Sequence, residues 1–206
     1  MSPTRSRRRY ASRLPVQERT EQLLDAALRL IAEGGFGAVS MHAVARHGGV
    51  TRPVAYDCFS GRDELCAALI AREDARMRRV FAEAACAERT DPRRLPADAL
   101  AILLGAVRDA PDTWRLLYVP LDTVPEGPRE RLASTRAELT TVIRTGFDAY
   151  AAANGFPPEV DTEVAVHLLR AVVDMAGQRV LLDPDRYPPE RMTAALDSVL
   201  AVFNPP

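Results

Sequence analysis

Apolar residues recur at helical spacing along most of the chain, and short breaks divide this pattern into segments. Leu23, Ala27, Leu30 and Ile31 form a stripe at intervals of three and four residues, which predicts an amphipathic helix beginning near Pro15. The sequence EGGFG follows this stripe. It predicts the end of the helix, because a glycine readily adopts the left-handed conformation common just after a helix.

Two short helical segments follow, separated by Gly48-Gly49. Ser40 is a favourable N-cap for the first segment and Thr51 for the second, and the first turn of a helix tolerates Pro53. A glycine also suits the positive φ that a tight turn between helices requires. Together with the preceding helix, the two segments predict a helix-turn-helix on a three-helix core.

The rest of the sequence is also helical in pattern, with breaks rich in proline. Ser60 followed by Asp63 resembles a capping box with a shortened acid at the start of the next helix. No stretch alternates apolar and polar residues long enough to predict a strand, so the expected fold class is all-α. The further predicted helices cover residues 63–88, 94–108, 112–121, 128–153, 159–182 and 188–203.

Charge is distributed unevenly along the chain, although the net charge is only -1. All 27 basic residues are Arg, and residues 1–66 carry an excess of three positive charges. Five arginines and no acid lie in residues 1–13, which predicts a disordered basic arm. Such an arm is either a solvated tail or, beside a DNA-reading helix, a contact to phosphate or the minor groove.

The chain has three cysteines, Cys58, Cys66 and Cys86, and no CxxC pair, which argues against a disulfide framework and a zinc site. We interpret them as small buried apolar residues in a reducing, cytoplasmic setting, with a thiol sensor as the alternative. The basic N-terminus lacks the apolar segment of a signal peptide, and no apolar run is long enough to span a membrane.

Residues 15–66 resemble the DNA-binding domain of the TetR (tetracycline repressor) family of bacterial regulators. The resemblance rests on Gly35-Phe36, the Ser40 cap, Val44-Ala45, and the run from Gly48 to Leu65, which reads GGVTRPVAYDCFSGRDEL. It implies a helix-turn-helix domain over residues 14–62 and an all-helical ligand-binding and dimerisation domain over residues 63–206. The chain departs from the family pattern at Ala55, which replaces a larger apolar residue, and at Asp57-Cys58.

The resemblance also implies which residues contact double-stranded DNA. Thr51, Arg52 and Pro53 would face base edges, and Tyr56 would give its hydroxyl to a phosphate. Arg can bond O6 and N7 of guanine with both arms of its guanidinium, which independently favours Arg52. The phosphate contacts implied on the helices on either side of the reading helix are Ser40, His42 and Arg62.

A ligand cavity is harder to find in the sequence, because apolar stripes serve both cores and pocket walls. Trp114, Leu117, Tyr118 and Leu121 form such a stripe, which is either helix core or pocket wall. His167 is either a satisfied core histidine or a ligand contact. A pocket built from these side chains would take a small hydrophobic or aromatic molecule. The candidate ligand contacts are Met77, Phe81, Trp114, Tyr118, Phe147 and His167.

The last two predicted helices carry the strongest apolar faces, and in the family they form a four-helix bundle across a two-fold axis. That implies a homodimer, which suits an operator with two half-sites. The candidate dimer contacts are Ala165, Leu168, Val172, Leu196, Val199 and Phe203.

The main reading is a transcriptional regulator, most often a repressor, that a ligand releases from a palindromic operator. An enzyme is the first alternative, but no catalytic or cofactor motif occurs, the three histidines lack metal-ligand spacing, and Glu73-Asp74 are expected on a solvated helix face. The second alternative is a DNA-binding protein with no ligand, or one that responds to a protein partner.

Overall fold

The computed structural model describes residues 15–86, 95–154 and 161–203, so the predicted arm at 1–13 lies outside the described residues. The described residues form α-helices and short 3-10 turns without a strand, in agreement with the predicted fold class. The helices are α1 (Val16–Gly34), α2 (Met41–His47), α3 (Arg52–Cys58), α4 (Arg62–Cys86), α5 (Leu95–Asp109), α6 (Pro111–Arg115), α7 (Glu126–Asn154), α8 (Thr162–Leu182) and α9 (Pro189–Phe203).

The N-terminal helices α1–α3, called the reading head below, end and restart where the sequence predicts. Gly35 follows α1 with φ of 70°, and the Ser40 hydroxyl accepts a hydrogen bond from the Ala43 N–H at 3.1 Å. Gly49 supplies the positive φ, 64°, between α2 and α3. Thr51 occupies the N-cap position of α3, but its side chain makes no capping hydrogen bond.

Gly48 lets the turn between α2 and α3 lie close against α1. A Cβ at this position would come within 3.1 Å of the Val44 carbonyl oxygen and 3.2 Å of the Leu23 side chain. The Gln22 side-chain amide on α1 donates to the Gly48 carbonyl at 2.8 Å. This bond fixes the turn to the first helix, which sets the direction in which α3 leaves.

The start of α4 differs in detail from its predicted cap. Glu64, not Asp63, closes back onto Ser60, whose N–H and hydroxyl both donate to Glu64 Oε2 at 2.6 Å. These two hydrogen bonds lower the pKa of the Glu64 carboxyl, the hydroxyl bond having the larger effect. The Asp63 side chain is too short to make this return contact and is exposed.

Helix α4 passes through two hydrophobic clusters. Its first half, including Leu65 and Ile70, packs with the reading head and with Leu116, Val124 and Leu132 from later in the chain. Its second half, from Met77 onward, packs with α5, α7 and α8. The clusters change over between residues 70 and 77, several residues beyond the predicted boundary at 62/63.

The predicted helix over 112–121 is wrong in its second half. Helix α6 ends at Arg115 and gives way to 3-10 turns at Leu116–Tyr118 and Leu121–Thr123. Val119 between them is extended, with ψ of 131°. Pro120 accounts for this, because a residue before proline is forced out of the α conformation.

Gly177 allows a close approach between α8 and the 116–118 turn. A Cβ on Gly177 would lie 2.6 Å from the Tyr118 hydroxyl oxygen, which itself donates to the Asp174 carbonyl at 3.3 Å. Burial raises the pKa of Tyr118 to about 12, so this hydroxyl keeps its proton at neutral pH.

The cysteines have three different environments. Cys66 is buried, and burial raises the pKa of its thiol, whereas Cys58 is half-buried and Cys86 is exposed at the end of α4. The interpretation as buried apolar residues therefore holds for Cys66 and is wrong for Cys86. Among the described residues, no helix is long and apolar enough to cross a membrane.

Candidate DNA-binding surface and ligand cavity

The N-terminal end of α3 presents four side chains to solvent from a buried support. Thr51, Arg52, Pro53 and Tyr56 are exposed, while Ala55 between them is fully buried. The small Ala55 side chain allows α3 to pack closely onto α1 and α2. The residues that the sequence predicts to contact DNA bases are therefore accessible from solvent.

Arg52 and Tyr56 contact each other on the outer face of α3. The Arg52 guanidinium donates to the Tyr56 hydroxyl at 3.4 Å, and its central carbon lies 5.5 Å from the centre of the Tyr56 ring. Residues four apart on a helix share a face, so the ring limits the directions in which the Arg can extend. The pair presents a cation and a hydroxyl together at the end of a short helix.

The predicted phosphate contacts on the helices on either side of α3 have different environments. Ser40 and His42 are exposed at the start of α2, although the Ser40 hydroxyl already accepts the capping bond. The Arg62 guanidinium donates to the Val39 carbonyl at 3.0 Å and to the Phe36 carbonyl at 2.9 Å. These bonds give Arg62 partners inside the protein that the sequence did not predict, and its phosphate contact stays a prediction. The sequence could not show this, because those carbonyls lie 23 and 26 residues away.

A cavity of about 400 Å³ lies between helices α5, α7, α8 and α9. Its lining side chains are apolar apart from Tyr150, which carries a hydroxyl. The lining residues are Pro96, Ala99, Leu100, Leu103, Val142, Ile143, Gly146, Phe147, Tyr150, Ala165, Leu168, Leu169, Val172, Val173 and Leu196. A site with this lining holds a hydrocarbon or aromatic group by burial and offers few polar anchors.

Only one of the six predicted ligand contacts, Phe147, lines this cavity. Met77, Phe81 and Trp114 are buried in the second hydrophobic cluster, where the rings of Phe81 and Trp114 meet edge to face with centres 5.9 Å apart. Tyr118 instead borders a shallow groove next to α1 and bonds to α8.

His167 is exposed on the outer face of α8, so neither of its predicted environments, the core or the cavity wall, is found. Helix α5 also lines the cavity, which the predicted ligand contacts did not include. That helix is apolar around most of its circumference, as expected for a helix surrounded by others, and this signal could have indicated the cavity wall.

The outer face of α8 is apolar and solvent-exposed. Val164, Leu168, Val172 and Met175 recur along it and are 52%, 64%, 40% and 45% exposed. Leu168 and Val172 also line the cavity, so this part of α8 is a single layer between the cavity and the outer face.

Two of the other four predicted dimer contacts can be located on the α8–α9 side of the cavity. Ala165 and Leu196 are half-buried and line the cavity. The side chains of Val199 and Phe203 lie outside the described residues.

Glu73 and Asp74 on α4 contradict the prediction of a solvated helix face. They are 0% and 5% exposed. Thr113 donates to Glu73 at 2.6 Å, and Thr135 donates to Asp74 at 2.6 Å. Burial of a carboxylate is tolerated when ion pairs and hydrogen bonds replace water, and these partners come from distant parts of the sequence.

Comparison with known proteins connects this geometry to a family. Residues 23–69 match the family model for bacterial regulatory proteins of the tetR family. The HTH-type transcriptional activator FasR from Mycolicibacterium smegmatis (strain ATCC 700084 / mc(2)155) is 29% identical over 179 residues, which cover 86% of this chain and 78% of FasR.

Two solved structures share the fold along most of the chain. AibR, in complex with isovaleryl coenzyme A and operator DNA, has a TM-score of 0.70 at 17% identity, covering 91% of this chain and 99% of that chain. The transcriptional regulator FadR from Bacillus subtilis, in complex with stearoyl-CoA, has a TM-score of 0.64 at 14% identity, covering 90% and 97%.

The matched residues are those that build the reading head and the start of α4, and the relative that extends over most of the chain is a regulator and not an enzyme. Residues 23–69 thus belong to a DNA-binding domain of the tetR family of bacterial regulatory proteins, and the chain is a DNA-binding transcriptional regulator with an N-terminal helix-turn-helix and a C-terminal helical domain.

Proposed function

We propose that this regulator binds a palindromic operator as a homodimer, represses transcription there, and is released when a small hydrophobic ligand enters the α5–α7–α8–α9 cavity. The observation that carries the proposal is the exposed N-terminal end of α3 on its buried Ala55 support. A helix presented in this way inserts its first residues into the major groove. The expected domain boundary near residue 62 is part of the same proposal.

On the DNA, Thr51, Arg52 and Pro53 face base edges, and Tyr56 contacts a phosphate. Ser40 and His42 add phosphate contacts from the start of α2, where a helix N-terminus favours an anion. Arg62 supports the reading head through its bonds to the turn at Phe36 and Val39. The basic arm at residues 1–13 adds charge, which would steepen the dependence of affinity on salt.

The dimer forms through the exposed apolar face of α8. The centre of a protein interface is depleted of charged residues, and the four apolar side chains from Val164 to Met175 fit that composition. Two copies related by a two-fold axis place identical reading heads on the two halves of a palindrome.

The ligand that the cavity favours carries an acyl chain. Apart from the aromatic side chains of Phe147 and Tyr150, the side chains that line the cavity are aliphatic. Two proteins of the same fold, AibR and FadR, were solved with acyl-CoA ligands, which supports this class over a sugar or phosphate. Repression is proposed from the family resemblance. Because FasR is named an activator, repression and activation have to be distinguished by measuring transcription.

The DNA proposal is tested by selecting binding sites from a random duplex library with the full chain. Recovery of an inverted repeat supports dimeric recognition, and recovery of no common sequence overturns it. In vitro transcription from a promoter bearing the selected site then decides between repression and activation.

The ligand proposal is tested by adding palmitoyl-CoA, isovaleryl-CoA or free coenzyme A to the protein bound to its selected site. Palmitoyl-CoA or isovaleryl-CoA should release the DNA, and free coenzyme A should not. Ala99→Phe, which fills part of the cavity, should keep DNA binding and lose release, whereas Ala101→Phe on the exposed side of α5 should behave as the parent. Release from Ala99→Phe at the parent's ligand concentration would exclude this cavity.

A further inference from the structure

A buried carboxylate on α4 lies where the reading head and the C-terminal domain meet. Glu73 is fully buried, and it accepts hydrogen bonds from α6 and from two arginines on its own helix. The Thr113 hydroxyl on α6 donates to Oε2 at 2.6 Å. Arg72 Nε donates to Oε1 at 2.7 Å, and one nitrogen of Arg76 lies 3.1 Å from the same oxygen.

Arg72 extends the network to the reading head. One terminal nitrogen of its guanidinium lies 2.8 Å from Glu21 Oε2 and 2.8 Å from Asp25 Oδ1, both on α1. Burial lowers the pKa of Arg72, but the bonds to Glu21, Glu73 and Asp25 outweigh burial and raise it, so the side chain stays charged. A continuous chain of charge-assisted bonds therefore runs from α1 through α4 to α6.

The strength of these bonds depends on angle and distance much more than the strength of the apolar contacts around them does. A shallow surface groove next to the network is bordered by Asp25 and Leu28 of α1 and by Pro111 and Thr113 from the start of α6. Short bonds to a charged group tolerate little change in angle or distance, whereas apolar surfaces can slide.

We propose that Glu73 is a positioning residue that fixes the angle of the reading head against α6, and thereby sets the spacing of half-sites that the dimer accepts. The inference rests on the proposed dimeric binding to two half-sites. Each added base pair moves the second half-site by about 3.4 Å along the DNA axis. A reading head held rigidly at one angle rejects such a shift, and a loosened one accepts it.

The experiment measures the affinity of the full chain for duplexes in which two copies of the selected half-site are separated by spacers of different length. Thr113→Val removes the hydroxyl that bonds Glu73 and preserves the shape of the side chain. It should reduce the discrimination between the best spacer and spacers one or two base pairs longer by about tenfold, a typical coupling between sites. Affinity for an isolated half-site should match that of the parent.

Thr135→Val is the matched control. Thr135 is fully buried and donates to the neighbouring carboxylate of Asp74 at the same distance, 2.6 Å, but it ties α4 to α7 and not to the reading head. It should lose similar stability and keep the parent's spacing preference. Equal broadening by both variants would show that lost stability is the cause and would overturn the proposal.

A second variant keeps the test decisive if Thr113→Val does not fold. Glu21→Gln combined with Asp25→Asn cuts the same chain of bonds at its outer end, where both side chains are about half exposed. It should broaden the spacing preference in the same way. A parent-like preference in the folded variants overturns the role of Glu73, whereas a parent with no spacing preference overturns dimeric recognition and this inference with it.

Discussion

The reading head has a tightly packed core, whereas the cavity region encloses empty space between its helices. In the reading head, Leu23, Phe36 and Val44 are fully buried, and the short helices leave a functional edge exposed on a tight core. In the cavity region, α5, α7, α8 and α9 enclose about 400 Å³ among apolar walls. Residues on the exposed edge of the reading head can therefore change at little cost in stability, while changes around the cavity affect both folding and the α8 face.

The largest expected effect comes from the outer face of α8. Val164→Glu combined with Met175→Glu places two charges on this face without touching the cavity lining. The variant should be monomeric by sedimentation velocity. Its affinity for a palindrome should fall by about 10²–10⁴-fold, because the second reading head is no longer tethered to the first. Val16→Glu, an exposed apolar position on α1, should stay dimeric, and a dimeric double variant would locate the interface elsewhere.

The next largest effect is on the free energy of unfolding, and it shows whether the C-terminal domain contains a tight core beside its cavity. Trp114 is 4% exposed and packs on Phe81. Trp114→Ala should lower the free energy of unfolding by about 3–5 kcal/mol in urea titrations, the usual cost of removing a buried aromatic side chain. Leu182→Ala, at a position that is 75% exposed, should change it by less than about 0.5 kcal/mol. A Trp114→Ala protein of parental stability with altered ligand release would instead make Trp114 a pocket wall.

Within the reading head, Arg52→Ala should weaken operator binding by about 1–3 kcal/mol and relax the preference at one base position in each half-site. Tyr56→Phe keeps the ring that packs against Arg52 and loses the hydroxyl. It should weaken binding to all sequences alike. Thermal melting should show both variants as stable as the parent, in contrast to Trp114→Ala. Unchanged base preference in Arg52→Ala would remove Arg52 from the base contacts.

The smallest expected effect is on the pH dependence of stability, and it comes from Tyr118, which contacts both regions. Because the folded state raises the pKa of Tyr118 to about 12, the unfolded chain ionises first as the pH rises above 10. Its stabilising contribution is complete below pH 10 and is lost as the pH rises through 12. The loss is at most about 3 kcal/mol, since one pKa unit corresponds to 1.36 kcal/mol. Tyr118→Phe should remove this part of the alkaline slope in urea titrations from pH 9 to 12. A slope identical to the parent's would assign the loss to other groups.

The sequence predicts the reading head well because its signals are local. Ser40 and its partner Ala43 are three residues apart, and Gly35 and Gly49 adopt positive φ where the pattern requires a turn. Most of the core beneath α3 also comes from residues nearby in the sequence, between Leu23 and Ile70. The roles proposed for Arg52 and Tyr56 remain predictions until DNA binding is measured.

The cavity region is predicted poorly because its contacts join distant residues. An apolar helix face does not show whether it meets another side chain or a cavity, so Trp114 and Phe81 could be taken for pocket walls. Glu73 looks solvated in the sequence, since the hydroxyl that permits its burial is on Thr113, 40 residues later. Phe147 alone among the predicted ligand contacts lies on the cavity wall.

Gly177 is a position at which one substitution would change how α8 packs against Tyr118. At this residue α8 touches the Tyr118 hydroxyl, and one added methyl group would come within 2.6 Å of that oxygen. Either the tyrosine would swing away or α8 would shift, while alanine would itself favour the helix by about 1 kcal/mol. A single-codon change at a residue that does not line the cavity and lies outside the reading head could thus reset the position of α8, so related regulators could diverge in the geometry of their assembly with both of those regions unchanged.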